Sequence, residues 1–222
     1  MKLSSETISL LKNFSTINQS ILIKEGNQLR TISVMKNIYA VAEVKEHFPR
    51  EIAIYDLNAF LNALSLHSSP DIDFSNEKYL SWKEANSSGT WFYADPAVIV
   101  SPPEKEITLP SKDICFVYPS AVHEKLMKAS SVYQVSDISC VGVDGKIVMK
   151  VRDKKNDSSN SFMEVVGETD DEFCFNFKVE NMKLLSGSYD VVISRKLLAE
   201  FTRKSGGQLT YFIALEPDST YD

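Results

Sequence analysis

The first residues of the chain alternate apolar and polar positions with the period of an amphipathic helix. Apolar or small side chains recur at intervals of four, three, four and three residues between positions 3 and 17. A helix turns once in about 3.6 residues, so these positions share one face. They are Leu3, Thr7, Leu10, Phe14 and Ile17. The pattern predicts a helix over residues 3–17, with Ser4 available as its N-cap.

The pattern then changes to short apolar runs separated by turn residues. Residues 21–24 and 28–34 flank Gly26, which can adopt a positive φ, and this arrangement predicts a hairpin. Residues 51–55 form a further apolar run that predicts a strand. A second helix is expected directly after it, because Asp56 is a good N-cap and the following apolar residues have helical spacing. These residues are Leu57, Phe60, Leu61 and Leu64.

The second half of the chain repeats this order. Residues 120–132 have helical spacing, and Asp144-Gly145 between residues 138–143 and 146–151 is a strong hairpin signal. Three phenylalanines alternate with polar residues over positions 172–178, which predicts a strand with one buried face. A short helix is expected over residues 179–185. Further strands are expected at residues 71–74, 78–83, 90–94, 162–166, 189–194, 197–203 and 209–215.

Matching features of the two halves lie about 120 residues apart, which indicates a duplicated fold. A segment with four prolines separates the copies and predicts an extended connector. We therefore expect an α+β protein of two similar domains, each with two helices packed on antiparallel sheets. The predicted boundaries are residues 1–95, a connector over residues 96–112, and residues 113–222.

The composition is that of an ordinary soluble protein. Hydrophobic residues make up 43% and charged residues 24%, and no apolar run is long enough to cross a membrane. The amino-terminal residues lack the features of a signal peptide, so we expect a cytoplasmic protein without membrane contact. The three cysteines lie in apolar segments and are expected to be buried, reduced thiols.

The sequence gives no support for a catalytic or metal-binding site. Spacings typical of zinc sites, phosphate-binding loops and dinucleotide-binding loops are absent. Residues 75–78 match a short nucleophile motif, but they fall in a strand and turn region rather than at the start of a helix. We therefore expect no enzymatic activity, no catalytic residue, no metal and no cofactor.

Polar and basic side chains do recur on the predicted helices, opposite the apolar stripes. They are Lys12 on the first helix, Asn58 and Asn62 on the second, Lys125 and Lys128 on the third, and Lys178 and Lys183 at the fourth. Considered alone, these residues indicate solvated helix faces more readily than a DNA-binding surface. The net charge of −6 argues against a protein that coats nucleic acid with its whole surface, but it leaves room for a local basic lining.

Six stretches in order along the chain resemble the sliding clamps of T-even-like phages, which are clamps of the PCNA type. They are MKLS at the start, LLKNFSTIN at 10–18, AIYDLNAFL at 53–61, GKIV at 145–148, FNFKVENM at 175–182 and ALEPDSTYD at 214–222. The resemblance implies a homotrimeric ring that slides on double-stranded DNA without sequence specificity. Twelve helices, two per domain, would line the ring, with the seven residues above facing the DNA.

The resemblance also implies two kinds of protein contact. Subunits would pair through edge strands formed by Thr90, Trp91, Phe92 and Tyr93 in one domain and by Ser161, Phe162, Met163, Glu164, Val165 and Val166 in the other. Partner peptides would dock in a pocket formed by Val98, Ile99, Val100, Phe212, Ile213, Leu215 and Pro217. The implied partners are the phage DNA polymerase, the ATP-driven clamp loader, and the late-transcription sigma factor and co-activator, all in the cytoplasm of an infected host.

A different class of protein also fits the residues. A phage structural or scaffold protein with a duplicated β-rich fold would likewise lack catalytic motifs. Its oligomeric state and its behaviour on circular and linear DNA would distinguish it from a clamp.

Overall fold

The computed structural model describes residues 1–156 and 158–221. The chain forms two compact units. The first comprises Met1–Lys105 with Gly207–Leu209, and the second comprises Glu106–Gly206 with Thr210–Asp222.

The first unit carries two α-helices, a 3-10 turn (Pro96–Val98) and seven strands. In chain order these are α1 (Ser5–Ile17), β1 (Ile21–Ile23), β2 (Gly26–Ile32), β3 (Ile38–Phe48), β4 (Ile52–Ile54), α2 (Leu57–Leu64), β5 (Asp71–Asp73), β6 (Tyr79–Glu84) and β7 (Ser87–Phe92). β1 pairs with β4, β2 pairs with β3, and β5, β6 and β7 form a sheet in that order, with every pairing antiparallel. The buried stripes of α1 and α2 supply Phe14 and Leu57 to the core.

The described residues of the second unit form one α-helix and nine strands. In chain order these are β8 (Ile114–Tyr118), α3 (Ser120–Tyr133), β9 (Asp137–Val143), β10 (Lys146–Arg152), β11 (Phe162–Glu168), β12 (Phe173–Lys178), β13 (Tyr189–Ser194), β14 (Leu198–Arg203), β15 (Leu209–Ala214) and β16 (Thr220–Tyr221). One sheet has the order β11, β10, β9, β12, β16, and the strands β15, β14, β13 and β8 are consecutive neighbours in another.

The two units share their topology, as the repeated pattern predicted. α1 corresponds to α3, the pair β1–β4 corresponds to β9–β12, and β2–β3 corresponds to β10–β11. The consecutive strands β5, β6 and β7 likewise correspond to β13, β14 and β15. The N-caps Ser4 and Asp56 were predicted correctly, and each accepts a backbone N–H with its side chain.

The predicted hairpin around Gly26 is wrong. β1 pairs with β4 rather than with β2, and β2 pairs with β3. The pairing of β1 with β4 joins the end of α1 to the start of α2, where the amide of Leu57 donates to the carbonyl of Gln19 at 2.8 Å. This long-range contact decides the pairing, and local turn residues do not reveal it.

The fourth predicted helix is also wrong. Residues 179–181 make a single 3-10 turn, so the described part of the second unit has one α-helix and not two. The chain beyond this turn is held by tyrosine side chains. The amide of Leu185 donates to the hydroxyl of Tyr211, and its carbonyl accepts from the hydroxyl of Tyr189, so neither group is available to a helix. The implied set of twelve lining helices is therefore not met by α-helices of the described residues.

The expectation of three buried cysteines is correct only for Cys140. Cys115 is exposed and Cys174 is half-buried, although all three are free thiols. Cys115 lies on the outer face of β8, whose residues alternate between buried and exposed.

Candidate functional site

The first unit presents one polar helix surface. α1 and α2 contact each other, and the hydroxyl of Ser15 donates to the side-chain oxygen of Asn58 at 2.8 Å. Lys12, Asn58 and Asn62 are all exposed on the faces opposite the buried stripes. The structure therefore brings these three predicted residues onto exposed positions of two adjoining helices.

This surface carries little charge. The hydroxyls of Ser9, Thr16 and Ser65 lie along it, and each donates to a backbone carbonyl three or four residues earlier in its own helix. Their oxygens still face solvent and can accept or exchange hydrogen bonds with water. Such a surface offers weak polar contacts around the single lysine of α1.

The second unit presents two of its predicted lysines on α3. Lys125 and Lys128 are exposed, and they lie three residues apart on the helix. The ammonium of Lys125 is 2.8 Å from the carboxylate of Glu164 on β11. Glu164 belongs to the strand predicted to form a subunit contact, so one ion pair links the two predicted surfaces.

Lys178 and Lys183 do not lie on a helix, contrary to the sequence prediction. Lys178 ends β12, and its ammonium is 2.7 Å from the carboxylate of the buried Asp137. This hydrogen bond raises the pKa of Lys178 above its ordinary value. Lys183 follows the 3-10 turn and is half-buried. A DNA phosphate would have to compete with Asp137 for Lys178, because an unpaired buried carboxylate is costly.

Both strands predicted to form subunit contacts are sheet edges among the described residues. β7 is hydrogen-bonded only to β6 in its sheet, and β11 only to β10. Each carries exposed apolar side chains: Phe92 is 69% exposed, Met163 64% and Val165 56%. An unpaired edge with apolar side chains is a template for pairing with another chain.

The residues predicted to form a peptide pocket differ in exposure. Val98 and Val100 are exposed, and Ile99 between them is buried. In the carboxyl-terminal part of the chain, Pro217 is exposed. The remaining members, Phe212, Ile213 and Leu215, are buried core residues. Ile213 is fully buried, so its side chain is not presented to a partner.

The carboxyl-terminal tail is fastened to the second unit. The ammonium of Lys154 is 2.8 Å from the carboxylate of Asp218, and the Lys154 side chain is nearly buried. β16 pairs with β12, and the ring of Tyr221 stacks on those of Phe173 and Phe175. The tail is thus part of the folded unit.

The described residues contain no group of three or more His, Cys, Asp or Glu side chains arranged to hold a metal ion. No helix in the described ranges is both long and apolar enough to span a membrane.

Family models match both halves of the chain. The model described as "DNA polymerase processivity factor" matches residues 4–101. The model described as "gp45 sliding clamp, C terminal" matches residues 121–217.

Curated relatives match over the full length. The sliding clamp of Enterobacteria phage T4 is 34% identical over 235 aligned positions, which cover 100% of both chains. The sliding clamp of Escherichia phage RB69 is 33% identical, again over 100% of both chains. The sliding clamp of Vibrio phage KVP40 is 32% identical over 97% of this chain and 99% of its own.

Solved structures show the same fold at low sequence identity. The A. fulgidus PCNA, solved with the C-terminal region of FEN-1, gives a TM-score of 0.72 at 13% identity and covers 99% of this chain and 98% of its own. PCNA from Thermococcus kodakaraensis gives 0.70 at 15% identity, over 97% of this chain and 99% of its own. The fold is therefore that of the PCNA-like clamps. On its full-length relatives and both family models, the chain belongs to the family of phage sliding clamps, which are DNA polymerase processivity factors.

Proposed function

We propose that this processivity factor works as a homotrimeric ring around duplex DNA and performs no chemistry itself. The observation that carries the proposal is that the two strands implied as subunit contacts, β7 in the first unit and β11 in the second, are sheet edges among the described residues and expose apolar side chains. Two different edges on one chain suit a head-to-tail contact, and a head-to-tail contact that closes makes a ring.

Within the ring, the exposed polar faces of α1, α2 and α3 would line the path of the DNA. Lys12, Lys125 and Lys128 supply the positive charge, while Asn58 and Asn62 supply neutral hydrogen-bonding groups. Contacts to phosphates alone are blind to sequence, and a few of them hold DNA without fixing its register. Closure of the ring would then prevent dissociation while weak contacts permit sliding.

The ring would act by tethering the phage DNA polymerase close to its template. A tethered enzyme rebinds at a high effective concentration, so synthesis continues after each transient release. Polymerase, clamp loader, late-transcription sigma factor and co-activator would each bind through short apolar peptides near Val98 and Val100. All of these steps would occur in the cytoplasm of the infected bacterium.

Native mass spectrometry tests the ring directly. A trimer has about three times the 25.0 kDa mass of the chain. A monomer or dimer at micromolar protein and near-physiological salt would contradict the ring. The topological claim has its own test: the loaded protein should remain on nicked circular DNA and should leave the same DNA after linearisation. Equal loss from both forms would instead indicate an ordinary DNA-binding or structural protein.

A charge-matched comparison tests the DNA-facing residues. Replacing Lys12, Lys125 and Lys128 by Gln should reduce the stimulation of polymerase, leave the trimer mass unchanged, and make DNA binding less dependent on salt. The control replaces three exposed lysines that lie on strands or turns by Gln. These are Lys36, Lys83 and Lys146. If both variants lose the same amount of activity, the helix faces have no special role.

A further inference from the structure

The first half of the connector is fastened to the first unit by two side chains. The side-chain amide of Asn18, at the end of α1, donates to the carbonyl of Val100 at 3.1 Å. The guanidinium of Arg30, on β2, donates to the carbonyl of Pro103 at 2.8 Å. These bonds span 82 and 73 residues of sequence, so they fix a distant segment against the unit.

The side chain of Asn18 is itself held in one orientation by its hydrogen bonds. Its side chain is buried, with 5% exposed. The side-chain nitrogen also donates to the carbonyl of Ile32 at 2.8 Å, and the side-chain oxygen accepts from both the amide and the hydroxyl of Ser20. Both ends of the amide are satisfied only in this orientation. Rotation would leave buried polar groups unpaired, which is costly.

Arg30 is held in a similar way. Its Nε donates to the hydroxyl of Tyr39 at 2.9 Å, and its guanidinium carbon lies 5.5 Å from the centre of the Tyr39 ring. Pro102 and Pro103 have no backbone N–H, so the connector can be bound there only through its carbonyls. Amide and guanidinium groups are donors that suit such carbonyls.

The consequence for the connector is a preformed surface. Ile99 is buried, while its neighbours Val98 and Val100 expose apolar side chains. Asn18 binds within this segment and Arg30 binds just beyond it. A loop that is already ordered loses less conformational entropy when it captures a ligand.

We propose that Asn18 and Arg30 are positioning residues for partner binding: they hold residues 98–103 in the conformation that captures a short apolar peptide. This inference rests on the proposed docking of partner peptides at Val98 and Val100. It goes further by assigning the rigidity of that surface to two side chains on α1 and β2.

The experiment measures binding of a fluorescein-labelled peptide from the polymerase carboxyl terminus by anisotropy. Two variants release the connector. Asn18→Asp places an acceptor against the carbonyl of Val100 and also against that of Ile32, whereas Arg30→Met removes the donor to Pro103 and leaves the bond from Asn18 to Ile32 in place. Their matched controls are Ser20→Ala and Tyr39→Phe. Each control removes a different partner of the same side chain and leaves the connector bond in place.

We expect the releasing variants to bind the peptide about 3- to 10-fold more weakly, mainly through faster dissociation. Amide hydrogen exchange should rise at residues 98–101 in these variants. Trimer mass should match the parent, and both controls should bind like the parent. Arg30 is only partly buried, so Arg30→Met tests the inference even if Asn18→Asp fails to fold.

Two outcomes would overturn the inference: parental affinity in both releasing variants, or an equal loss in their controls. The variant Val98→Asp with Val100→Asp separates this result from the proposed docking. If the aspartates abolish binding while the releasing variants bind normally, only the positioning role fails. If the aspartates have no effect, or the parent does not bind the peptide, the docking proposal fails and the positioning role fails with it.

Discussion

Glu46 should be one of the most important single residues for the stability of the first unit. It lies on β3, its side chain is 9% exposed, and its carboxylate accepts hydrogen bonds from the amide of Ser4 and, at 2.6 Å, from the hydroxyl of Thr7. In a capping box, an acidic or amide residue at the third position of the helix satisfies the N-cap amide. Here Thr7 occupies that position, and a carboxylate from a distant strand performs the task.

The size of the effect follows from these two bonds. A hydrogen bond to a charged group contributes about 1.5–3 kcal/mol, and an unsatisfied buried donor costs about 1–3 kcal/mol. Glutamine at position 46 keeps one acceptor oxygen but turns an NH2 group toward the second donor. Glu46→Gln should therefore lower the free energy of unfolding by about 2–3 kcal/mol. The matched control is Glu25→Gln, an exposed turn residue, which should change it by less than about 0.5 kcal/mol.

Tryptophan fluorescence during urea unfolding measures this change. Both tryptophans, Trp82 and Trp91, lie in the first unit, and Trp82 is buried against Phe60, so the signal reports on that unit. Equal midpoints for Glu46→Gln and Glu25→Gln would refute the capping role.

The pH dependence provides a second measurement of the same residue. Burial alone would raise the pKa of Glu46, but the hydrogen bonds from Thr7 and Ser4 outweigh it and hold the pKa below its ordinary value. A carboxyl group with a lowered folded-state pKa stabilises the protein above its unfolded pKa of about 4.3, and this stability is lost as pH falls through the folded value. The parent should thus lose more stability than Glu46→Gln between about pH 6 and pH 3. Parallel profiles would contradict this assignment.

Three further predictions concern the second unit. Glu164→Gln should make DNA binding by the proposed ring steeper in salt by up to about three phosphate contacts, one per subunit, because each Lys125 loses its partner. The double variant with Lys125→Gln should match Lys125→Gln alone, and unequal slopes would exclude this competition. Replacing Met163 and Val165 by Lys should give monomers in native mass spectra, whereas Val143→Lys, at another exposed apolar site, should leave trimers. Trimers in both variants would show that β11 does not form the subunit contact. Burial lowers the pKa of His123 despite the nearby Glu124, so the parent should lose stability from about pH 7 to pH 5 as the unfolded state takes up the proton. His123→Gln should make the melting temperature less dependent on pH over that range, and an unchanged pH dependence would rule out His123 as the cause.

The elements that the sequence predicted well are those specified by neighbouring residues. Ser4 and Asp56 begin α1 and α2 as N-caps, and the Asp144-Gly145 turn connects β9 to β10 with both residues at positive φ. In each case a few adjacent residues decide the backbone conformation. Such signals are independent of the rest of the fold.

The elements that sequence reasoning missed depend on distant partners. β3 spans 11 residues with alternating burial over its second half, but the charged Glu46 stands at an inward position and breaks the apolar pattern. The inward position of Glu46 is explained only when the start of α1, with Ser4 and Thr7, is placed beside it. β1 is three residues long and pairs with β4, which begins 29 residues after β1 ends. No local pattern specifies that partner.

The same distinction applies to the candidate site. Exposed positions on α1, α2 and α3 were predictable, because helical periodicity separates the two faces of a helix. The pairing of lysines with carboxylates was not predictable, because the carboxylates that pair with Lys125 and Lys178 lie on other elements. Asn18 lies in a stretch that resembles the phage clamps, but its sequence context gives no sign that it binds a carbonyl 82 residues away.

Pairing of lysines with carboxylates has a direct consequence for sliding. If Lys12, Lys125 and Lys128 of three subunits all bound phosphates, the logarithm of the DNA-binding constant would fall with the logarithm of the salt concentration with a slope of about −8. Such a slope is typical of a tight complex. In the proposed ring Glu164 would compete for Lys125 in every subunit, and Asp137 would hold Lys178 more firmly still, because Asp137 is buried. A phosphate gains little when it displaces an existing carboxylate partner. The carboxylates would therefore lower DNA affinity without opening the ring, so that retention depends on closure while the clamp stays free to move along the duplex.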